Sequence, residues 1–179
     1  RSKLTLKKIF MKKRRYKNKG ILFWITGLSG TGKSSIGNLI LPEIIKKYGP
    51  TILVHGDDFR NIWELKKYTN KGRIQNCIKY FRFCNYVTNQ NINIIFTVIG
   101  MYKKIRDMNR KNIKNYVEIY IEKKNYKINP KLKKFKKNIV GVNIKAELPK
   151  KPDIKILNNF DLDIKSISKN LMERIKKTI

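Results

Sequence analysis

Acidic residues are scarce in this 179-residue chain: 12 Asp and Glu stand against 43 Lys and Arg, a formal net charge of +31. Alanine occurs once, at Ala146, histidine once, at His55, and cysteine twice, at Cys77 and Cys84. A single histidine excludes an imidazole metal cluster. Two cysteines seven residues apart in a helix-spaced segment make neither a disulfide framework nor a metal-ligand spacing. They read as core positions on one helix face in a reducing compartment. No apolar run approaches the roughly 20 residues of a membrane span, and no secretory signal is visible. A cytoplasmic protein without membrane attachment is expected.

The positive charge, taken alone, points to nucleic acid or an anionic membrane surface. Lysine, however, outnumbers arginine 34 to 9 and is spread along the whole chain. A nucleic-acid reader concentrates charge on one element and uses arginine at base edges. Lysine, isoleucine and asparagine are abundant and share A- and T-rich codons, so a biased genome produces this composition without selection for a partner. Nucleic acid stays open as a less favoured partner. A basic surface attracts anionic nucleotides in either case.

Residues 1–20 carry many basic groups and no acid, which fits a solvated arm outside the fold. Met11, followed by Lys12-Lys13-Arg14-Arg15, is read as the true start, with a cleaved or vestigial presequence as the alternative. Residues 21–179 suffice for one α/β domain.

Residues 21–26 form a continuous apolar run between glycines, the signature of a strand buried on both faces of a parallel sheet. Helical spacing over 34–48 places Ile36, Leu39, Ile40, Ile44 and Ile45 in one stripe, interrupted by Pro42. Further strands are predicted at 51–55, 92–99, 116–121 and 154–157, and helices over 73–89 and 102–114. Residues 122–137 form a polar, lysine-rich region. Ser166 is placed as the cap of a closing helix carrying Ile167, Leu171 and Ile175. Strands alternating with helices give a doubly wound, mostly parallel α/β sheet flanked by helices. Trp24 is assigned to the core and Trp63 to core or pocket wall. Phe81, Phe83 and Tyr86 read as packing against the sheet in preference to stacking on bases.

The chemistry is carried by Gly27-Leu28-Ser29-Gly30-Thr31-Gly32-Lys33-Ser34, which satisfies the G-x-x-x-x-G-K-[ST] spacing between a predicted strand and a predicted helix. Glycines let the loop curl so that its N–H groups converge on phosphate oxygens, and the helix directs its positive end at the same point. Lys33 would reach the β- and γ-phosphates of ATP, and Ser34 would hold Mg²⁺. At the end of the second strand, His55-Gly56-Asp57-Asp58-Phe59-Arg60 supplies carboxylates and an arginine where doubly wound folds bind ligands. A carboxylate there orients magnesium or accepts the proton of an attacking hydroxyl, while the arginine grips a phosphate or sulfate. The competing structural reading of the acidic pair is a turn capping the next helix.

These residues together resemble the adenylylsulfate kinase family, which phosphorylates the 3′-hydroxyl of adenylylsulfate with MgATP. The resemblance lies in the GLSG-type P-loop from Gly27 to Ser35, in Gly56, Asp57 and Arg60, in Arg73 and Asn76, and in Asn138-Ile139-Val140-Gly141-Val142 with Glu147-Leu148-Pro149 and Pro152-Asp153. It implies a P-loop NTPase fold with a short lid. It further implies Asp57 and Lys33 as catalytic groups, Ser34 and Asp57 at the metal, and Arg60, Arg73 and Asn76 on the substrate's anionic end. Tyr68 would stack on the base, Ile99 would line the substrate site, and Lys131 would belong to the lid.

The chain departs from the family pattern at several points. Gly100 replaces a serine, His55 an aspartate and Ile139 an aromatic residue, and Asn129-Pro130-Lys131-Leu132 shortens the lid. The stretch from Met101 to Ile113 resembles a divergent branch that includes kinases of cytidine diphosphoramidate. An active kinase of either nucleotide, a non-catalytic nucleotide-binding scaffold, and a nucleic-acid binder with an incidental P-loop all remain open, and a homodimer is compatible with each.

Overall fold

The computed structural model describes residues 19–66, 68–124 and 139–179. The expected arm apart from Lys19 and Gly20, the lid lysine Lys131 and its neighbours 129–132, and Asn138 lie outside the described residues.

Five strands form one parallel sheet in the order β2-β3-β1-β4-β5. They are β1 (Ile21–Thr26), β2 (Thr51–His55), β3 (Asn93–Val98), β4 (Asn115–Glu122) and β5 (Ile154–Leu157). The helices are α1 (Lys33–Tyr48), α2 (Gly56–Ile62), α3 (Asn70–Asn89), α4 (Lys103–Asn112) and α5 (Ile164–Thr178). Strand side chains alternate between two cores. Phe23 and Ile25 of β1 face a cluster with Ile36, Ile40 and Ile44 of α1 and Leu171 and Ile175 of α5. Leu22 and Trp24 face the opposite cluster, with Phe59 of α2, Cys77, Tyr80 and Cys84 of α3 and Ile105 of α4. Both cysteines are buried and free, as the helical spacing predicted.

Several expectations change. The α1 stripe is narrower than the apolar spacing suggests, because Leu39 and Ile45 turn outward and only Ile36, Ile40 and Ile44 reach the core. Pro42 does not interrupt α1; burial of Ile40 and Ile44 on either side offsets a proline cost of about 3 kcal/mol. Asp163, and not Ser166, caps α5: its carboxylate accepts from the N–H groups of Lys165 and Ser166, leaving Ser166 in the first turn. The short helix α2 follows β2 directly, so Asp57 and Asp58 occupy a first helical turn, where negative charge is favourable. Trp63 is not core; it is a wall residue of a hollow lined by Phe59, Lys79, Arg82, Phe83 and Tyr86, apart from the P-loop. It is 59% exposed and stacks on Phe59 beside Tyr86, which is itself 66% exposed instead of packed on the sheet.

An ion network anchors the chain ahead of β5. Buried Glu118 accepts from Arg106 and Arg110, and Arg110 grips Asp153 through both guanidinium nitrogens at 3.0 Å. The Glu118 N–H donates to the same Asp153 carboxylate at 2.7 Å. Upstream, Glu147 accepts from the Lys103 N–H at the start of α4, which has no side-chain cap of its own.

Candidate active site

The P-loop leaves β1 and enters α1 at the carboxyl edge of the sheet, with Gly30 and Gly32 at φ of 75° and 85°. Side chains rarely adopt this left-handed geometry. Gly32 precedes α1 with no side-chain cap, so the first N–H groups of the helix are available to an anion. The loop is braced from within: the Thr31 hydroxyl donates to the Leu28 carbonyl at 3.0 Å and the Lys33 ammonium to the same oxygen at 2.7 Å. Burial lowers the Lys33 pKa to about 8.

A cleft of about 260 Å³ opens above this loop, lined by Ser29, Gly30, Gly32, Lys33, Ser34 and Ser35 on one side and by His55, Asp57, Arg60, Thr97 and Ile99 on the other. Gly27, Leu28 and Thr31 of the predicted nucleotide set do not line it. Gly27 is packed so tightly that a Cβ would meet the Ile121 carbonyl at 2.5 Å. Leu28 packs against the small cluster of Met101, Tyr120, Val140 and Ile144. Asp57 presents an 83% exposed side chain to the cleft and pairs with Arg60. His55 Nδ1 lies 2.8 Å from the Thr97 hydroxyl.

Arg60 also faces a second, smaller recess with Tyr68, Arg73, Asn76, Tyr80, Tyr102 and Ile99. The structure thus brings the sequence-predicted residues Arg60, Tyr68, Arg73, Asn76 and Ile99 to one place. Arg60, Val98 and Ile99 are shared with the P-loop cleft. Arg73 Nε donates to the Tyr68 carbonyl at 2.9 Å, and its guanidinium lies 5.4 Å from the Tyr68 ring centre. Desolvation lowers the Arg73 pKa, with Tyr102 acting in the opposite direction. Tyr80 is buried in the same recess as Arg60, and burial raises its pKa while the neighbouring Arg60 lowers it. Sequence reasoning missed Tyr80, although Arg73, Asn76, Cys77 and Tyr80 follow the i, i+3, i+4, i+7 spacing of one helix face. Gly100 has a packing reason: at φ of 43°, a Cβ there would approach Val98 at 2.9 Å and the Trp24 ring at 3.0 Å.

The Ser34 hydroxyl and the Asp57 carboxylate are the hard oxygen donors a magnesium ion takes beside phosphate oxygens. Among the described residues no group of three or more His, Cys, Asp and Glu could hold a metal by itself, and no helix is long and apolar enough to cross a membrane.

The family model described as adenylylsulphate kinase matches residues 19–157. Cytidine diphosphoramidate kinase of Campylobacter jejuni is 34% identical over 172 residues, covering 91% of this chain and 96% of the relative. Adenylyl-sulfate kinase of Clostridium kluyveri is 31% identical over 167 residues, covering 85% and 82%. In fold, the chain is similar to the APS kinase of Mycobacterium tuberculosis, with a TM-score of 0.77 at 19% identity over 89% of this chain and 99% of that one. On the match over most of its length, this chain belongs to the adenylylsulphate kinase family of phosphotransferases.

Proposed function

We propose that this chain moves the γ-phosphoryl group of ATP onto a ribose hydroxyl, the 3′-OH, of a nucleotide whose far end is a modified phosphate, with cytidine diphosphoramidate preferred over adenylylsulfate. The observation that carries the reading is the junction of the two recesses. Arg60 and Ile99 border both the P-loop cleft and the Tyr68–Arg73 recess, so a donor phosphate and an acceptor nucleotide would meet between Lys33 and Asp57.

Each group has a task under this reading. The loop amides and Lys33 neutralise the charge that develops on the transferring group. Ser34 and Asp57 would hold a magnesium ion beside the ATP phosphates, where the ion would supply further charge neutralisation. Asp57 orients the acceptor hydroxyl and takes its proton. Arg73 and Asn76 hold the acceptor's anionic end, and Tyr68 stacks on its base. In this structure Arg60 occupies the Asp57 carboxylate. An acceptor anion that draws Arg60 away frees that carboxylate for the hydroxyl.

The preference for cytosine is supported by the extent of the match to the Campylobacter relative, whose 34% identity runs over 91% of this chain and 96% of its own. It is also supported by the half-exposed ring of Tyr68 standing without the second aromatic that Ile139 replaces. The lost face removes about 1–3 kcal/mol of the stacking that an adenine sandwich would supply. The test is ADP release from MgATP with cytidine diphosphoramidate and with adenylylsulfate in parallel. Turnover with the cytidine compound at the higher kcat/KM is expected. Higher kcat/KM on adenylylsulfate would reverse the preference, and ATP binding without turnover on either would remove both acceptors.

A further inference from the structure

The turn between β5 and α5 holds a buried polar side chain that the reaction scheme does not use. Asn158 follows β5 directly and is fully buried. Its Nδ2 donates to the Thr31 carbonyl at 3.1 Å, across 127 residues of sequence. Its Oδ1 accepts from the Phe160 N–H at 3.1 Å, and its own N–H donates to the Glu122 carbonyl at 2.8 Å. An amide with both ends engaged has one orientation in which all its bonds are met.

The bond to Thr31 bears on the phosphate site through peptide geometry. In a trans peptide the C=O and the following N–H point in opposite directions. With the Thr31 carbonyl held on the Asn158 side, the Gly32 N–H of the same peptide is turned away from Asn158. Gly32 is a cleft-lining residue and takes a left-handed φ of 85°. Glycine tolerates both hands of φ, so this peptide is free to flip unless it is held. A flip would aim a carbonyl oxygen, and not an N–H, at a bound anion. The fit on the protein side is close, since a Cβ on Gly32 would lie 2.7 Å from Asn158 Nδ2.

We propose that Asn158 is a positioning residue of the phosphate site: it locks the Thr31–Gly32 peptide so that the Gly32 N–H faces the polyphosphate, and through Phe160 it ties that orientation to the β5–α5 turn. The proposal rests on the reading of the P-loop cleft as the ATP site.

Its test is the affinity of wild type, Asn158→Ala and Asn158→Ser for MgATP and for magnesium tripolyphosphate, measured by calorimetry well below each protein's Tm. Tripolyphosphate carries no base. Losing the lock should weaken both ligands by the same factor, about tenfold, in either variant, whatever the change in Tm. A variant with lowered Tm and unchanged affinities would make Asn158 a purely structural residue and overturn the proposal. Weakened ATP binding with unchanged tripolyphosphate binding would place Asn158 at the base and also overturn it. Wild type binding neither ligand would remove the phosphate-site reading and the proposal together. Should Asn158→Ala fail to fold, the serine variant, whose shorter hydroxyl stops short of Thr31, decides alone.

Discussion

The two sides of the cleft are built in different ways. On the proposed reading, the phosphate side comes from six of the seven consecutive positions from Ser29 to Ser35, Thr31 excepted, and would work mainly through backbone N–H groups, with Lys33 as its main side chain. The acceptor side gathers Arg60 from α2, Tyr68 from the connection, Arg73, Asn76 and Tyr80 from α3, Tyr102 before α4, and Val140 from the turn ahead of β5. A site made of backbone asks little of composition beyond glycines and one lysine, so it survives in a chain filled with lysine, isoleucine and asparagine. A site made of scattered side chains can be altered one residue at a time. The departures from the family pattern at Gly100 and Ile139 accordingly lie on or near the acceptor side, while His55 lines the P-loop cleft.

The sharpest way to separate the two sides is to disable one group on each. Asp57→Asn should lower kcat by about 10²–10⁴-fold while MgATP affinity measured by calorimetry stays within a few-fold; undiminished turnover would take Asp57 out of the proton transfer. Lys33→Ala should cost about 10²–10³-fold in kcat and weaken ATP as well. If that variant affected only the acceptor KM, the assignment of sides would be reversed. Tyr68→Ala should remove stacking worth about 1–3 kcal/mol, read as an acceptor KM raised roughly five- to a hundredfold with ATP KM unchanged.

The pH dependence of binding tests the phosphate side alone. Burial holds the free Lys33 pKa at about 8, and bound polyphosphate would raise it by favouring the charged form. ATP affinity should therefore be level below pH 8 and fall by up to about tenfold per pH unit above it, with proton uptake on binding in that range. Calorimetry in buffers of different ionisation enthalpy reads both quantities. Affinity independent of pH from 7 to 9.5 would show that the free and bound lysine titrate alike.

The smallest effect concerns stability. Gly100→Ser, which restores the residue of the family pattern, should destabilise the fold by about 1–3 kcal/mol, because its Cβ meets Val98 and the buried Trp24 ring. Thermal unfolding of the single variant and of Gly100→Ser with Trp24→Phe would show whether the indole ring is the obstacle: relief in the double variant is the expected result.

The order of strands and helices was legible because apolar runs such as residues 21–26 and the 3.6-residue spacing of α5 are local signals. The P-loop was legible for the same reason, its spacing being contained in eight residues. Helix α2 was hidden because seven residues carry too little periodicity to register. Tyr80 was hidden behind the apolar reading of its helix, although its spacing from Arg73 and Asn76 was in plain view. Asn158 gave no local sign at all: its partner is Thr31, 127 positions earlier.

The sequence by itself determined the parallel α/β architecture, the phosphate loop and the carboxylate–arginine pair after β2, since each depends on neighbours a few residues apart. Only the tertiary structure decided which residues meet the loop from elsewhere: Asn158 beneath Thr31, Arg60 shared by two recesses, and Trp24 closing the space above Gly100. Those contacts depend on how the sheet order and the two cores bring distant segments together, and that information is spread over the whole chain instead of any one motif.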